Sequence, residues 1–165
     1  MTILEQKKQL ENLRIVWVGD GNNVAHSWLN AAATLPLNLV VACPEGYEPD
    51  EAILKAALRD SEGRIEMVSD PVEAVQGADV IYTDVWASMG QESEHGLRKR
   101  FFEPYQVNQK LVDEAKDDVI VMHCLPAHRG EEISGDVLEG PNSVVWDQSE
   151  NKMHMHKAIL EGYMT

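Results

Sequence analysis

Short apolar runs alternate along this chain with stretches whose apolar residues recur every three or four positions. Arg14–Val18 (RIVWV) has the length and β-branched content of a buried strand. It ends in Gly19-Asp20-Gly21-Asn22-Asn23. Val24, Trp28, Ala31, Ala32 and Leu35 then fall on one helical face, and Pro36 closes that helix. Asn38–Ala42 (NLVVA) reads as a second strand. A helix over Asp50–Arg59 should turn Ile53, Leu54, Ala57 and Leu58 inward, and Arg64–Val68 reads as a weaker third strand. Asp70-Pro71-Val72-Glu73 opens a short helix that stops near Gly77. Asp70 is placed to accept from free amides, and Pro71 suits the first turn. Asp79–Thr83 and Val119–Met122 are the fourth and fifth strands, separated by a helical stretch through Val107, Leu111, Val112 and Ala115. A last short strand is expected over Ser143–Trp146, and a terminal helix over Glu150–Leu160.

Strands separated by helices imply parallel pairing with both sheet faces covered. The expected fold class is α/β, a three-layer Rossmann-like sandwich around a mainly parallel five-stranded sheet of order 3-2-1-4-5. No repeat, low-complexity tract or linker interrupts the 165 residues, so residues 1–165 read as a single domain. That order would set the ends of strands one, four and five side by side. Three unusual loops follow those strands: Asp20–Asn23, Asp84–Gly90 and His123–Gly130. Open parallel sheets bind ligands where neighbouring strand ends diverge, so one small polar ligand could meet all three loops.

Composition narrows the partners. Asp and Glu number 28 against 14 Lys and Arg, a formal charge of −14, which repels nucleic acid and acidic membranes at long range. With 44% hydrophobic residues the chain is too apolar for disorder. Cys43 and Cys124 match no metal-ligand or disulfide spacing, and MTILEQKKQLENL carries charge where a leader needs an apolar stretch. A cytoplasmic setting, without metal, membrane or nucleic-acid partner, is therefore expected.

The loop residues each have two readings. Asp20, Asn22 and Asn23 suit a strand-to-helix turn on backbone grounds alone, and Asn23 equally suits a ligand carboxylate at the helix N-terminus. Asp84 can cap a turn or attract an ammonium group. Ser88 gains interest only from its company with Asp84. Cys124 is a small buried hydrophobe or the lining of a polar pocket. A Cys–His nucleophile lacks an orienting third group, and adjacent strand residues point oppositely. His123, Cys124 and His128 do not complete a metal set, and His154 and His156 do not face each other on a helix. The glycines at 19 and 21 lack the third member of a dinucleotide fingerprint. Arg98-Lys99-Arg100 reads as a solvated loop, with a lid over the site as the alternative.

DGNNVAHS (Asp20–Ser27), DVWASMGQE (Asp84–Glu92) and HCLPAHRGEEI (His123–Ile133) closely resemble segments of the ornithine carbamoyltransferase family. YEPD, YQVN and GPNSVVWDQSEN extend the likeness over essentially the whole chain. The resemblance is to the second, ornithine-binding half of that family. The STRTR and HPxQ segments of its carbamoyl-phosphate half do not occur here. The resemblance implies transfer of a carbamoyl group from carbamoyl phosphate to the ornithine δ-amine, in arginine metabolism, without a cofactor. It implies that Asn23 holds the α-carboxylate, Asp84 and Ser88 the α-amino group, and the Met89 backbone helps with the carboxylate. Cys124 and Leu125 would line the reaction centre, making Asp84, Cys124 and Leu125 the catalytic positions. The family's phosphate-reaching arginine is replaced by Lys152, which keeps the charge and loses the bidentate fork. Ser149 and Met153 also depart from the commoner residues. The intact DVWASMG favours unmodified ornithine. Carbamoyl phosphate would bind only with a partner domain, leaving the isolated chain inactive or very weak. Met153, Met155, Ile159, Leu160, Ile3, Leu4 and Leu10 would then lose cover and favour self-association. A noncatalytic amino-acid-binding or interaction module, or a bare folding unit, is the alternative.

Overall fold

The computed structural model describes residues 1–87 and 95–164. Its five strands are β1 (Arg14–Val18), β2 (Asn38–Ala42), β3 (Ile65–Val68), β4 (Val80–Thr83) and β5 (Ile120–His123). All pair in parallel, in the order β3-β2-β1-β4-β5 that the sequence predicts. The helices are α1 (Thr2–Lys7), α2 (Asn23–Thr34), α3 (Glu51–Asp60), α4 (Pro71–Val75), α5 (His95–Phe102), α6 (Gln109–Val112), α7 (Gly135–Leu138) and α8 (Val145–Met164).

Alternation along the strands divides the core into two layers. Val16, Val18, Val40, Ala42, Ile81 and Val121 face one way, against α4, α6 and α7. Ile15, Trp17, Leu39, Val41, Val80, Tyr82 and Met122 face the other, against Ala25, Leu29 and Ala32 of α2 and Ala57 of α3. Each fully buried side chain of this size contributes about 1.5–3 kcal/mol, so the central strands hold the sheet together. The caps form as the sequence suggests. Asp50 accepts from the Ala52 and Ile53 amides, and Asp70 from the Val72 amide at 2.8 Å.

Five expectations need correction. Leu35 and Leu58, assigned to inward faces, are 45% and 50% exposed, because each lies at the trailing end of its element, past the last residue seated on the sheet. Ser143–Trp146 is not a strand. Val121 accepts from the Val144 amide and donates to Asn142, giving an isolated bridge at Ser143, and the chain turns helical at Val145. The terminal helix therefore starts five residues earlier than predicted, with Asp147 in its first turn where the helix dipole favours an anion. Only Gln109–Val112 is helical in the stretch before β5, since Val107 is held by a bridge to Ile133. Arg98–Arg100 lie on α5, not in a loop.

The turn after β1 leaves no room for a side chain. A Cβ on Gly21 would sit 2.2 Å from the Pro49 nitrogen, while the Gly21 amide donates to Tyr47. Gly21→Ala is expected to cost about 1–3 kcal/mol, as overpacking does. Gly162, with open space around it on α8, is the control: Gly162→Ala should gain up to about 1 kcal/mol. Urea unfolding followed by the emission of buried Trp17 measures both; a loss at 162 or none at 21 would contradict the packing described.

Candidate active site

The order of the sheet puts the C-terminal ends of β1, β4 and β5 together, and side chains lock those ends. The Thr83 hydroxyl donates to the Val18 carbonyl at 2.7 Å, stitching the tips of β4 and β1. Asn22 caps α2: its Oδ1 accepts from the Val24 and Ala25 amides, at 2.9 and 3.2 Å. That leaves its Nδ2 to donate to Asp84 Oδ2, at 3.0 Å. The other oxygen of Asp84 accepts from the Cys124 thiol at 2.9 Å. Asp84 thus joins the loops after β1, β4 and β5, and it is 7% exposed.

The helix α8 closes one side. Gln148 accepts from the His123 amide and donates to the Tyr82 hydroxyl, so it bridges the ends of β4 and β5. One turn on, Lys152 stands beside Cys124. Cys124, Ser149 and Lys152 line two adjoining clefts. One, of about 340 Å3, reaches Trp28, Tyr82 and α1; the other, of about 510 Å3, is lined by Leu125, Pro126 and Trp146. Burial pushes the Cys124 thiol up to about 12, reinforced by the Asp84 carboxylate and opposed by the Lys152 ammonium. This thiol is a neutral donor, not a thiolate nucleophile. Leu125, half-buried, has φ 56°, a left-handed conformation costing about 1–3 kcal/mol that its surroundings must hold.

The residues predicted for the site divide accordingly. Cys124, Leu125 and Lys152 come together around the clefts, and Asp84 adjoins them through its hydrogen bond from Cys124. Asn23 is the exposed first residue of α2, and its neighbour Asn22 is the one bonded to Asp84. Ser88 and Met89 lie outside the described residues. Among those described, Asp84, His123 and Cys124 bring possible metal ligands within 4.8 Å of one another, as do His128, Glu131 and Glu132. In the first group the thiol is held protonated and both ring nitrogens of His123 are already hydrogen-bonded, which does not suit a metal.

Arg98 is the main residue that sequence reasoning missed. It is 7% exposed and pairs with Asp20, also 7% exposed, at 3.1 Å. Its guanidinium donates to the Trp86 carbonyl and lies 4.8 Å from the centroid of the Tyr47 ring. Burial raises the Asp20 carboxyl pKa, with Arg98 opposing. The one local signal is Phe102, four residues on along α5, whose ring centroid lies 5.8 Å from the guanidinium. The contrast between the two aspartates is chemical. Asp20 is neutralised by a guanidinium, whereas the hydrogen-bond donors to Asp84 among the described residues are a neutral amide and a neutral thiol.

A five-stranded parallel sheet of order β3-β2-β1-β4-β5 with helices packed on it defines the class: a Rossmann-like α/β domain. The model of the aspartate/ornithine carbamoyltransferase family, Asp/Orn-binding domain, matches residues 11–162. The chain is 59% identical over 160 residues to an ornithine carbamoyltransferase of Syntrophus aciditrophicus, covering 97% of this chain and 53% of that protein. It is 57% identical over 163 residues to the anabolic ornithine carbamoyltransferase of Pyrococcus furiosus, covering 97% and 52%. The solved ornithine carbamoyltransferase from Pyrococcus furiosus superposes with a TM-score of 0.91 over 96% of this chain and 52% of that one, at 57% identity. The ornithine transcarbamoylase from Giardia lamblia does so at 0.83 with 28% identity, covering 96% and 53%. This chain belongs to the aspartate/ornithine carbamoyltransferase Asp/Orn-binding-domain family. It spans about half the length of the curated relatives it matches. No described helix is long and apolar enough to cross a membrane.

Two outcomes follow from the electrostatics. Arg98→Met should destabilise by about 3–5 kcal/mol, since it strands the Asp20 carboxylate, and Arg98→Met with Asp20→Asn should cost less than Arg98→Met alone. Denaturant titration of the single and double variants checks this. Burial raises Cys43, Tyr82 and Cys124 in the folded chain. Protons these groups retain when folded leave the unfolded chain first as pH rises, so stability should fall above pH 9. The slope is at most about 1.4 kcal/mol per pH unit for each group. Cys124→Ser should make the decline shallower between pH 9 and 12. A decline equally steep in that variant would refute the assignment.

Proposed function

We propose that residues 1–165 form a single ornithine-binding domain, the amino-acid half of an ornithine carbamoyltransferase. The observation carrying this reading is Asp84. A nearly buried carboxylate at the meeting of three loops, bonded to neutral donors among the described residues, keeps its negative charge for a ligand ammonium group. In this reading Asp84 and Ser88 hold the α-amino group, while Asn23 and the Met89 backbone hold the α-carboxylate. Cys124 and the Leu125 backbone face the δ-amine. The names of the relatives support ornithine as the substrate.

The neutral δ-amine attacks the carbonyl carbon of carbamoyl phosphate. A C–N bond forms, charge builds on the carbonyl oxygen, the C–O bond to phosphate breaks, and the amine proton leaves to give citrulline. This domain selects and aims the amine. A second domain supplies the clamp for the leaving phosphate, to which Lys152 adds one point charge in place of a planar fork. That domain also covers Met153, Met155, Ile159 and Leu160 of α8, which are 45–58% exposed. Without it these residues promote self-association. The two free thiols suit a reducing, cytoplasmic setting.

Calorimetric titration with L-ornithine, with and without a separately made carbamoyl-phosphate-binding half, tests the reading. Saturable binding is expected, with turnover only when both halves are present. Asp84→Asn should weaken binding about 10–100-fold, the range for a hydrogen bond to a charged group, without loss of the thermal transition. No saturable binding in either condition would overturn the assignment. Binding without rescue of turnover would favour an amino-acid-binding module, and full turnover by the chain alone would refute the division of labour.

A further inference from the structure

His123 ends β5 and Cys124 follows it, and a ring nitrogen of His123 lies within 4.8 Å of both the Cys124 sulfur and an Asp84 carboxylate oxygen. Cys124 is bonded to Asp84, whereas His123, fully buried, is bonded to Glu132, also fully buried. The Leu125 amide donates to His123 Nδ1 at 2.8 Å. A ring nitrogen that accepts carries no hydrogen, so the proton of the neutral ring sits on Nε2. That nitrogen lies 3.1 Å from Glu132 Oε1 and donates to it. The same oxygen accepts from the His128 amide at 2.6 Å. Two buried side chains therefore grip the backbone of the loop at Leu125 and at His128. The Glu132 carbonyl, accepting from the Val107 amide, anchors the far end to the core. Glu132 Oε2 is buried without a hydrogen-bond partner, a cost the fold tolerates while Oε1 makes both bonds.

We propose that His123 and Glu132 are positioning residues that act as one unit, the carboxylate fixing the ring tautomer and the ring fixing Leu125. Neither reaches the clefts. Their effect is transmitted through the Leu125 amide, which must be held for that residue to keep its left-handed conformation and for Cys124 to stay against Asp84. The inference deepens the reading of the site as ornithine-binding, so its first measurements need no ornithine.

Nitrogen-15 spectra of the histidine-labelled chain are expected to show the Nε2–H tautomer at His123. Alkylation of Cys124 by iodoacetamide should run about tenfold faster in His123→Phe, the effect of losing one hydrogen bond, and within about twofold of the unaltered chain in Glu132→Gln, which keeps an acceptor oxygen. Cys43, 4% exposed, is the internal control and should stay protected in both variants. A merely structural role would speed both thiols together. An Nδ1–H tautomer, Cys124 unchanged in a cooperatively folded His123→Phe, or equal gains at both thiols would each overturn the proposal. The tautomer and Glu132→Gln decide the matter if His123→Phe does not fold. Loss of ornithine binding with these signatures intact would count against the proposed substrate and leave the positioning role standing.

Discussion

The site depends on one carboxylate accepting two hydrogen bonds from two other loops. Asp84 follows β4 directly, between β1 and β5 in the sheet, and takes a proton donor from each side: Asn22 from the first loop and Cys124 from the third. Parallel order brings the three strand ends within reach, but strand ends alone would leave the loops free to splay. The shared acceptor converts adjacency into a defined geometry. Asn22 can serve because its oxygen is already fixed by capping α2, which aims the amide nitrogen. The helix start and the site are thus built from a single side chain.

The support on the far side of each loop follows the same logic. Arg98 holds Asp20 and the Trp86 carbonyl, bracing the first two loops from behind. Gln148 joins β4 and β5 to α8 and so sets Lys152 beside Cys124. His123 and Glu132 do the corresponding work for the third loop. None of these groups needs to touch a ligand. Each removes a freedom that ligand binding would otherwise have to freeze, which is how a rigid shell raises affinity without adding contacts.

The five strands were legible because each is an apolar run with turn or capping residues near its ends. Their order is not written in those runs and was expected only from the common arrangement of such units, which the sheet adopts. The run at Ser143–Trp146 looks the same locally. Only the tertiary setting, a single bridge to Val121 followed at once by helix, shows that it does not continue as a strand. That Asp84 and Cys124 follow neighbouring strand ends was also legible, through the strand pattern, whereas Leu125 and Lys152 were singled out only by the family resemblance. The choice between Asn22 and Asn23 was not legible, since both suit a helix start and only the backbone decides which side chain caps. Arg98 was read as solvated because it stands in a basic run. Its burial depends on Tyr47, fifty-one positions earlier, and on Asp20, which no local pattern connects to it.

The two aspartates show how one acidic chain separates structural charge from functional charge. A carboxylate leaving water must recover its hydration, either from a counter-charge or from neutral dipoles. Asp20 takes the first course, and its field is largely cancelled by a guanidinium 3.1 Å away. Asp84 takes the second: an amide and a thiol satisfy its oxygens as donors while leaving its net charge intact. The high pKa of Cys124 belongs to the same arrangement: burial disfavours the thiolate first, and an ionised thiol beside Asp84 would also repel it and remove the donor. A site of this kind holds a negative charge in place before any cation arrives. An ammonium group entering it meets a carboxylate that is already oriented and partly desolvated, which makes the attraction strong and directional.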